Sequence, residues 1–109
     1  MVIVNGTTIS MVRGDTAKIE IAINDSEGHE YAPVEGDVIR FAAKKSYYDE
    51  EPIIYKLIPN DTLLLWIEPQ DTKNLPFGKY IYDIEITFAD GDVDTFIANA
   101  TLEILKEVF

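Results

Sequence analysis

The feature that most constrains this chain is an apolar residue at every second position, renewed in run after run. In "TAKIEIAIN", Ala17, Ile19, Ile21 and Ile23 alternate with Lys18, Glu20, Ala22 and Asn24. Successive side chains of an extended strand point to opposite faces, so this pattern predicts a strand with one buried face. "DVIRFAAKK" repeats it, with Ile39, Phe41 and Ala43 against Arg40 and Lys44. "KYIYDIEITF" sets Tyr80, Tyr82, Ile84, Ile86 and Phe88 on one side, and "TFIANATLEIL" does the same with Phe96, Ala98, Ala100, Leu102 and Ile104. "PIIYKLI" and "TLLLWIE" are short, rich in β-branched and aromatic residues, and bounded by Pro52, Pro59 and Pro69. "MVIV" and "TTISM" supply one or two more short strands. Only "PQDTKNL" reads as a helical turn, with Pro69 at its start and Asp71 near the free amides.

Glycine, proline, aspartate and asparagine clusters separate these runs, and none is long enough to be a linker. About seven strands at this spacing predict an all-β fold. The expected form is an antiparallel immunoglobulin-like β-sandwich of seven to eight strands, one domain over residues 1–109. A chain of this length buries roughly 65% of its unfolded surface, enough for a core without metal or disulfide support.

"FADGDVDTF" places Asp90, Asp92 and Asp94 at alternate positions beside Gly91. As a calcium loop of EF-hand type it fails, because the sixth and twelfth positions counted from Asp90 hold Thr95 and Thr101 instead of glycine and glutamate. Strand parity favours a hairpin. The apolar sets on both sides of the turn occupy even positions, which requires a loop with an odd number of residues. Ala89-Asp90-Gly91 meets that requirement as a type I turn closed by a left-handed glycine bulge. Tyr82 is then expected opposite Ala98, and Tyr80 opposite Ala100.

Twenty acidic residues against nine basic ones give a net charge of −11. Such a field opposes binding to nucleic acid or anionic membrane. With no cysteine, disulfides, thiolate metal sites and cysteine nucleophiles are excluded. The first residues lack the basic and apolar regions of a signal peptide, and no apolar run approaches the length of a membrane span. Folding in a cytosol is the expectation.

No constellation points to catalysis. His29, the sole histidine, lies in the polar stretch "NDSEGHEY" with Asp25 and Ser26 nearby, and lacks the rigid scaffold a catalytic triad needs. One histidine cannot build a histidine-rich zinc site. The carboxylates Asp49, Glu50, Glu51, Asp83 and Glu85 read as solvated, with no cleft to pair them for glycoside hydrolysis. "RGD" at Arg13 to Asp15 reads as a turn, not an adhesion motif. No catalytic, cofactor-binding or metal-binding residue is assigned.

Contact residues are a different matter. Tyr47 and Tyr48 stand in the loop "KKSYYDEEP", where no core periodicity calls for them. Trp66 falls at the opposite parity to Leu65 and Ile67, so it is expected on an outer face. Leu105 and Phe109 are apolar near the end of the sequence. These five are the candidate partner-binding residues, because aromatic side chains supply contact area at low entropic cost.

"GKYIYDI" is similar to the tyrosine corner of immunoglobulin-like domains, with Gly78 and Tyr80 matching and Tyr82 at the usual cysteine position. Phe41 stands where those domains carry tryptophan. Taken in order, "RGDTAKIEIAI", "GDVIRFAAKKSYYDEEPIIYK" and "IEPQDTKNLPFGKYIYDIEITFADGDVDTF" cover most of the chain. They resemble the immunoglobulin-like modules of phage and prophage tail proteins, nearest to the N-terminal domain of baseplate upper proteins. The resemblance implies a non-enzymatic virion part that docks onto other tail or baseplate subunits or onto itself. Since those domains often precede a long downstream region, the chain is expected to be a stand-alone module or an excised one. A carbohydrate-binding or adhesin-type sandwich using Tyr47, Tyr48 and Trp66 is the alternative.

Overall fold

A computed structural model describes residues 2–24 and 27–108 of the chain. In order, the elements are β1 (Val2–Asn5), β2 (Thr8–Val12), β3 (Ala17–Glu20), β4 (Val38–Lys44), β5 (Ile54–Ile58), β6 (Leu64–Ile67), α1 (Pro69–Thr72), β7 (Gly78–Thr87) and β8 (Val93–Leu105). Six strands form one sheet in the order β1-β2-β8-β7-β4-β5, and β3 pairs with β6 in a second. The fold is all-β. Its larger sheet is mixed, however, and not antiparallel throughout, because β2 runs parallel to β8 with Ile9 opposite Leu102 and Met11 opposite Ile104.

The alternation settles which faces are buried. Ile39, Phe41 and Ala43 of β4 and Tyr80, Tyr82, Ile84 and Ile86 of β7 point inward. They join Ile9 and Met11 of β2, with Ala17, Leu65 and Ile67 of the small sheet, in one apolar core. Trp66, Tyr55 and Leu57 take the opposite parity and are exposed. The short helix begins at Pro69, and the Asp71 carboxylate accepts the Glu68 N–H at 2.7 Å.

The β7–β8 turn is the three-residue loop: the Phe88 N–H donates to Asp92 O at 2.7 Å, and Gly91 closes it with φ +99°. Beyond the turn the pairing departs from the simple register. Over the paired stretch β8 carries two more residues than β7, so Tyr82 lies opposite Ala100 and Tyr80 opposite Leu102. The expected Tyr82–Ala98 and Tyr80–Ala100 pairs are therefore corrected, and Ala98 is exposed where the pattern predicts burial. The cause is local. Asn99 adopts φ +55°, a conformation asparagine tolerates better than most residues, and its N–H donates to the Asp83 carboxylate at 2.7 Å.

Two tyrosines of β7 anchor neighbouring segments. The buried Tyr80 hydroxyl donates to Pro76 O at 2.6 Å, which is the hydrogen bond of a tyrosine corner. Tyr80→Phe leaves that carbonyl without its donor and is expected to cost about 1–2 kcal/mol, read from the urea midpoint. The Tyr82 hydroxyl donates to Thr7 O in the β1–β2 turn. Burial pushes this phenol up to about 12, from an ordinary value near 10. The folded state thus holds the proton more tightly than the unfolded chain does. Its stabilising contribution is intact below pH 10 and is lost as the pH rises through 12. Over that window the stability difference between wild type and Tyr82→Phe, followed by circular dichroism, is expected to shrink.

Candidate functional site

The display of Tyr47 and Tyr48 follows from a turn. The Asp49 N–H donates to Ser46 O at 3.1 Å, which places the two tyrosines at the central positions with side chains projecting outward. The Asp49 carboxylate accepts the Ser46 N–H at 3.1 Å, and Lys44 Nζ donates to Asp49 O at 2.8 Å. Tyr47 is 65% exposed and Tyr48 94%. Tyr47 lines a hollow of about 150 Å³ on the outer face of the large sheet with Ala42, Lys44, Ile81, Asp83 and Asn99.

A second hollow of about 240 Å³ adjoins the first and shares Ala42 and Asp83 with it. Arg40, Pro52, Tyr55 and Glu85 complete its walls. Tyr55 is directly across from Ala42 on β5, and Asp83 is across from Ala42 on β7, so the small alanine side chain floors the dip between them. Arg40 is ion-paired with Glu85. The Arg40 guanidinium is raised above its ordinary value by a hydrogen bond with Tyr55, against the effect of burial and with help from Glu85.

Trp66 lies elsewhere. It is 50% exposed on the small sheet, across from Lys18, whose Nζ sits 4.6 Å from the ring centroid in a cation–π contact. With Leu57, Pro59 and Leu64 it lines a groove of about 400 Å³ along the seam between β5 and β6. Lys56 borders that groove, bonded to Asp71 at 2.6 Å and within 3.5 Å of Glu68. Leu105 is exposed at the end of β8 beside Val12 of β2, and Val108 is almost fully exposed. Phe109 lies outside the described residues, as do Asp25 and Ser26. The predicted contact residues thus divide among three separate regions.

The remaining candidate motifs have structural uses. Arg13 of "RGD" grips the Glu107 carboxylate with two nitrogens, at 3.0 and 2.5 Å, and donates to Leu75 O at 3.0 Å. This hydrogen bond holds the Glu107 carboxyl below its usual range. The Gly14 N–H donates to the fully buried Thr72 hydroxyl at 2.8 Å. Asp90 accepts the Asp92 N–H at 2.9 Å, an arrangement that closes a turn. His29 stands 3.6 Å from Glu27 on an exposed loop.

Sequence reasoning missed Tyr55 and Asp37. Tyr55 lay in "PIIYKLI", an apolar run with too little contrast to reveal its outer parity. Asp37 is buried, and its carboxylate accepts from the Tyr31 hydroxyl at 2.5 Å, the Val34 N–H at 2.9 Å and the Ala89 N–H at 3.0 Å. These bonds, led by that from Tyr31, hold its carboxyl below the ordinary value. No protein-family profile, curated protein or solved structure matches the chain.

Proposed function

We propose that the chain is a non-enzymatic structural and interaction module of a phage or prophage tail or baseplate particle, built as an immunoglobulin-like sandwich. The strand order, with β2 parallel to β8, and the tyrosine corner at Tyr80 support the immunoglobulin-like reading. In this reading the chain is made in a bacterial cytosol and then incorporated into the particle.

The observation that carries the docking role is an asymmetry between the two edges of the large sheet. Edge strands recruit other strands unless something blocks them. β5 carries the usual blocks: Pro52 and Pro59 flank it, and Lys56 turns inward onto Asp71. β1, at the other edge, has the sequence VIVN, with neither proline nor charge. Its surroundings suit association too, since no acid occurs among the first fourteen residues of a chain that holds twenty. The exposed Leu105, at the end of β8 two strands away, and Val108 beyond it extend this contact region. Neighbouring tail subunits, or further copies of this chain, are the partners that fit.

The test is particle composition. Prophage induction in the source cells, followed by particle purification and mass spectrometry, is expected to find this chain with the tail proteins. Cross-links from it are expected to concentrate on the β1–β2 hairpin and the segment after β8. Absence from particles that contain other tail proteins would overturn the reading, and cross-links confined to β5 would overturn its docking geometry.

A further inference from the structure

We infer that the two joined hollows on the outer face of the large sheet form a binding trough for a short, uncharged oligosaccharide. The trough crosses strands β5, β4 and β7 and reaches Asn99 on β8, a span of about 14 Å given the spacing of paired strands. That length takes two or three sugar rings. Each hollow has an exposed tyrosine in its wall, Tyr47 from the loop after β4 in one and Tyr55 of β5 in the other, and the low Ala42 is common to both. Sugar rings present flat C–H faces edged by hydroxyls. Two aromatic rings beside a floor of small side chains receive those faces, while polar groups in reach take the hydroxyls.

The polar groups are present and set in place. Asp83, shared by both hollows, is oriented by the Asn99 N–H, and Lys44 is tethered to Asp49 O. The Tyr47 wall is fixed in advance by the Ser46–Asp49 turn, which lowers the ordering cost of binding. Charge selects the class of ligand. The lining holds two cations, Arg40 and Lys44, and two anions, Asp83 and Glu85, in a chain of net charge −11. A locally balanced trough within an acidic surface favours a neutral ligand and repels uronates and sulfated sugars. This site differs from the aromatic set read from sequence, because Tyr48 and Trp66 take no part in it. It goes beyond the particle reading and stands or falls separately from it.

The experiment is a titration of the isotopically labelled protein with uncharged oligomers of glucose, mannose and N-acetylglucosamine, read by NMR amide shifts. An oligogalacturonate serves as the anionic control. At least one neutral oligomer is expected to move the amides of Ala42, Tyr55, Asp83 and Asn99. Tyr47→Ala and Tyr55→Ala are each expected to weaken that binding about tenfold, while Trp66→Ala leaves it unchanged. The inference fails if no neutral oligomer shifts these amides, if the shifts map to the Trp66 groove, or if oligogalacturonate binds as well. Should either tyrosine variant not fold, the wild-type shift map decides alone.

Discussion

Replacing Phe41 by alanine is expected to lower the free energy of unfolding by about 4 kcal/mol, the largest loss from any single truncation proposed for this chain. Phe41 is fully buried at the middle of β4, between Ile84 of β7 and Lys56 of β5 in the sheet register. Its ring lies 5.1 Å from that of Tyr82 at an interplanar angle of 34°. Truncation removes the transfer free energy of the ring and leaves a cavity that two flanking strands cannot close without breaking their pairing. Domains of this size have about 5–15 kcal/mol in total, so a large share of the stability disappears. The melting temperature is expected to fall by roughly 20 °C, and the urea midpoint to drop without a change in slope. A loss under about 1 kcal/mol would mean that no close-packed core surrounds this position.

The second large effect is expected at Asp37, with a size that depends on pH. Its carboxylate ties two segments together through three donors: Tyr31 and Val34 of the loop before β4, and Ala89 at the β7–β8 turn. The Asp37 carbonyl also accepts from Asn60 Nδ2 at 2.9 Å. Gly36 beside it has φ +97°, and a Cβ there would stand 2.9 Å from the Ala89 Cβ, so the loop sits hard against the turn. Tyr31 stacks edge-on to Phe88 at 5.5 Å, closing this end of the core. Asp37→Asn puts an amide donor where donors already converge, and is expected to lower the melting temperature at neutral pH by on the order of 10 °C.

The folded state holds the Asp37 carboxyl below its ordinary value of 3.8, so the unfolded chain binds the proton more readily. The contribution is therefore complete above about pH 4 and is lost as the pH falls through the depressed folded value. The gap between wild type and Asp37→Asn should narrow across that acid range in paired thermal melts. A gap that stays constant with pH would show that the charged carboxylate is not the stabilising form. Taking the difference between the two proteins cancels the acid response of the many surface carboxylates.

What the sequence determined by itself is the set of inward and outward faces. Ile39-Phe41-Ala43, Tyr80 to Ile86, and Leu65-Ile67 against Trp66 are all buried or exposed as their parity demands, because alternation is a local property of an extended backbone. The β7–β8 loop was legible for the same reason, since parity limits the number of residues a turn can hold. The helical turn at Pro69 and the hydrogen bond of Tyr80 were visible as short motifs whose partners lie a few residues away.

The tertiary structure alone decided everything that depends on distant partners. Nothing in "TTISM" marks it to run parallel with a strand more than ninety residues later, because edge pairing is chosen by what the assembled sheet leaves open. The extra residues in β8 escaped the pattern, since a bulge shifts register without altering the residue types on either side. Asp37 carried no distinguishing mark in the sequence, because its three donors converge only once the chain has folded. The trough arose in the same way: Tyr47 comes from a loop, Tyr55 from an edge strand and Asp83 from a central one. Their proximity is set by strand order, which local alternation does not encode.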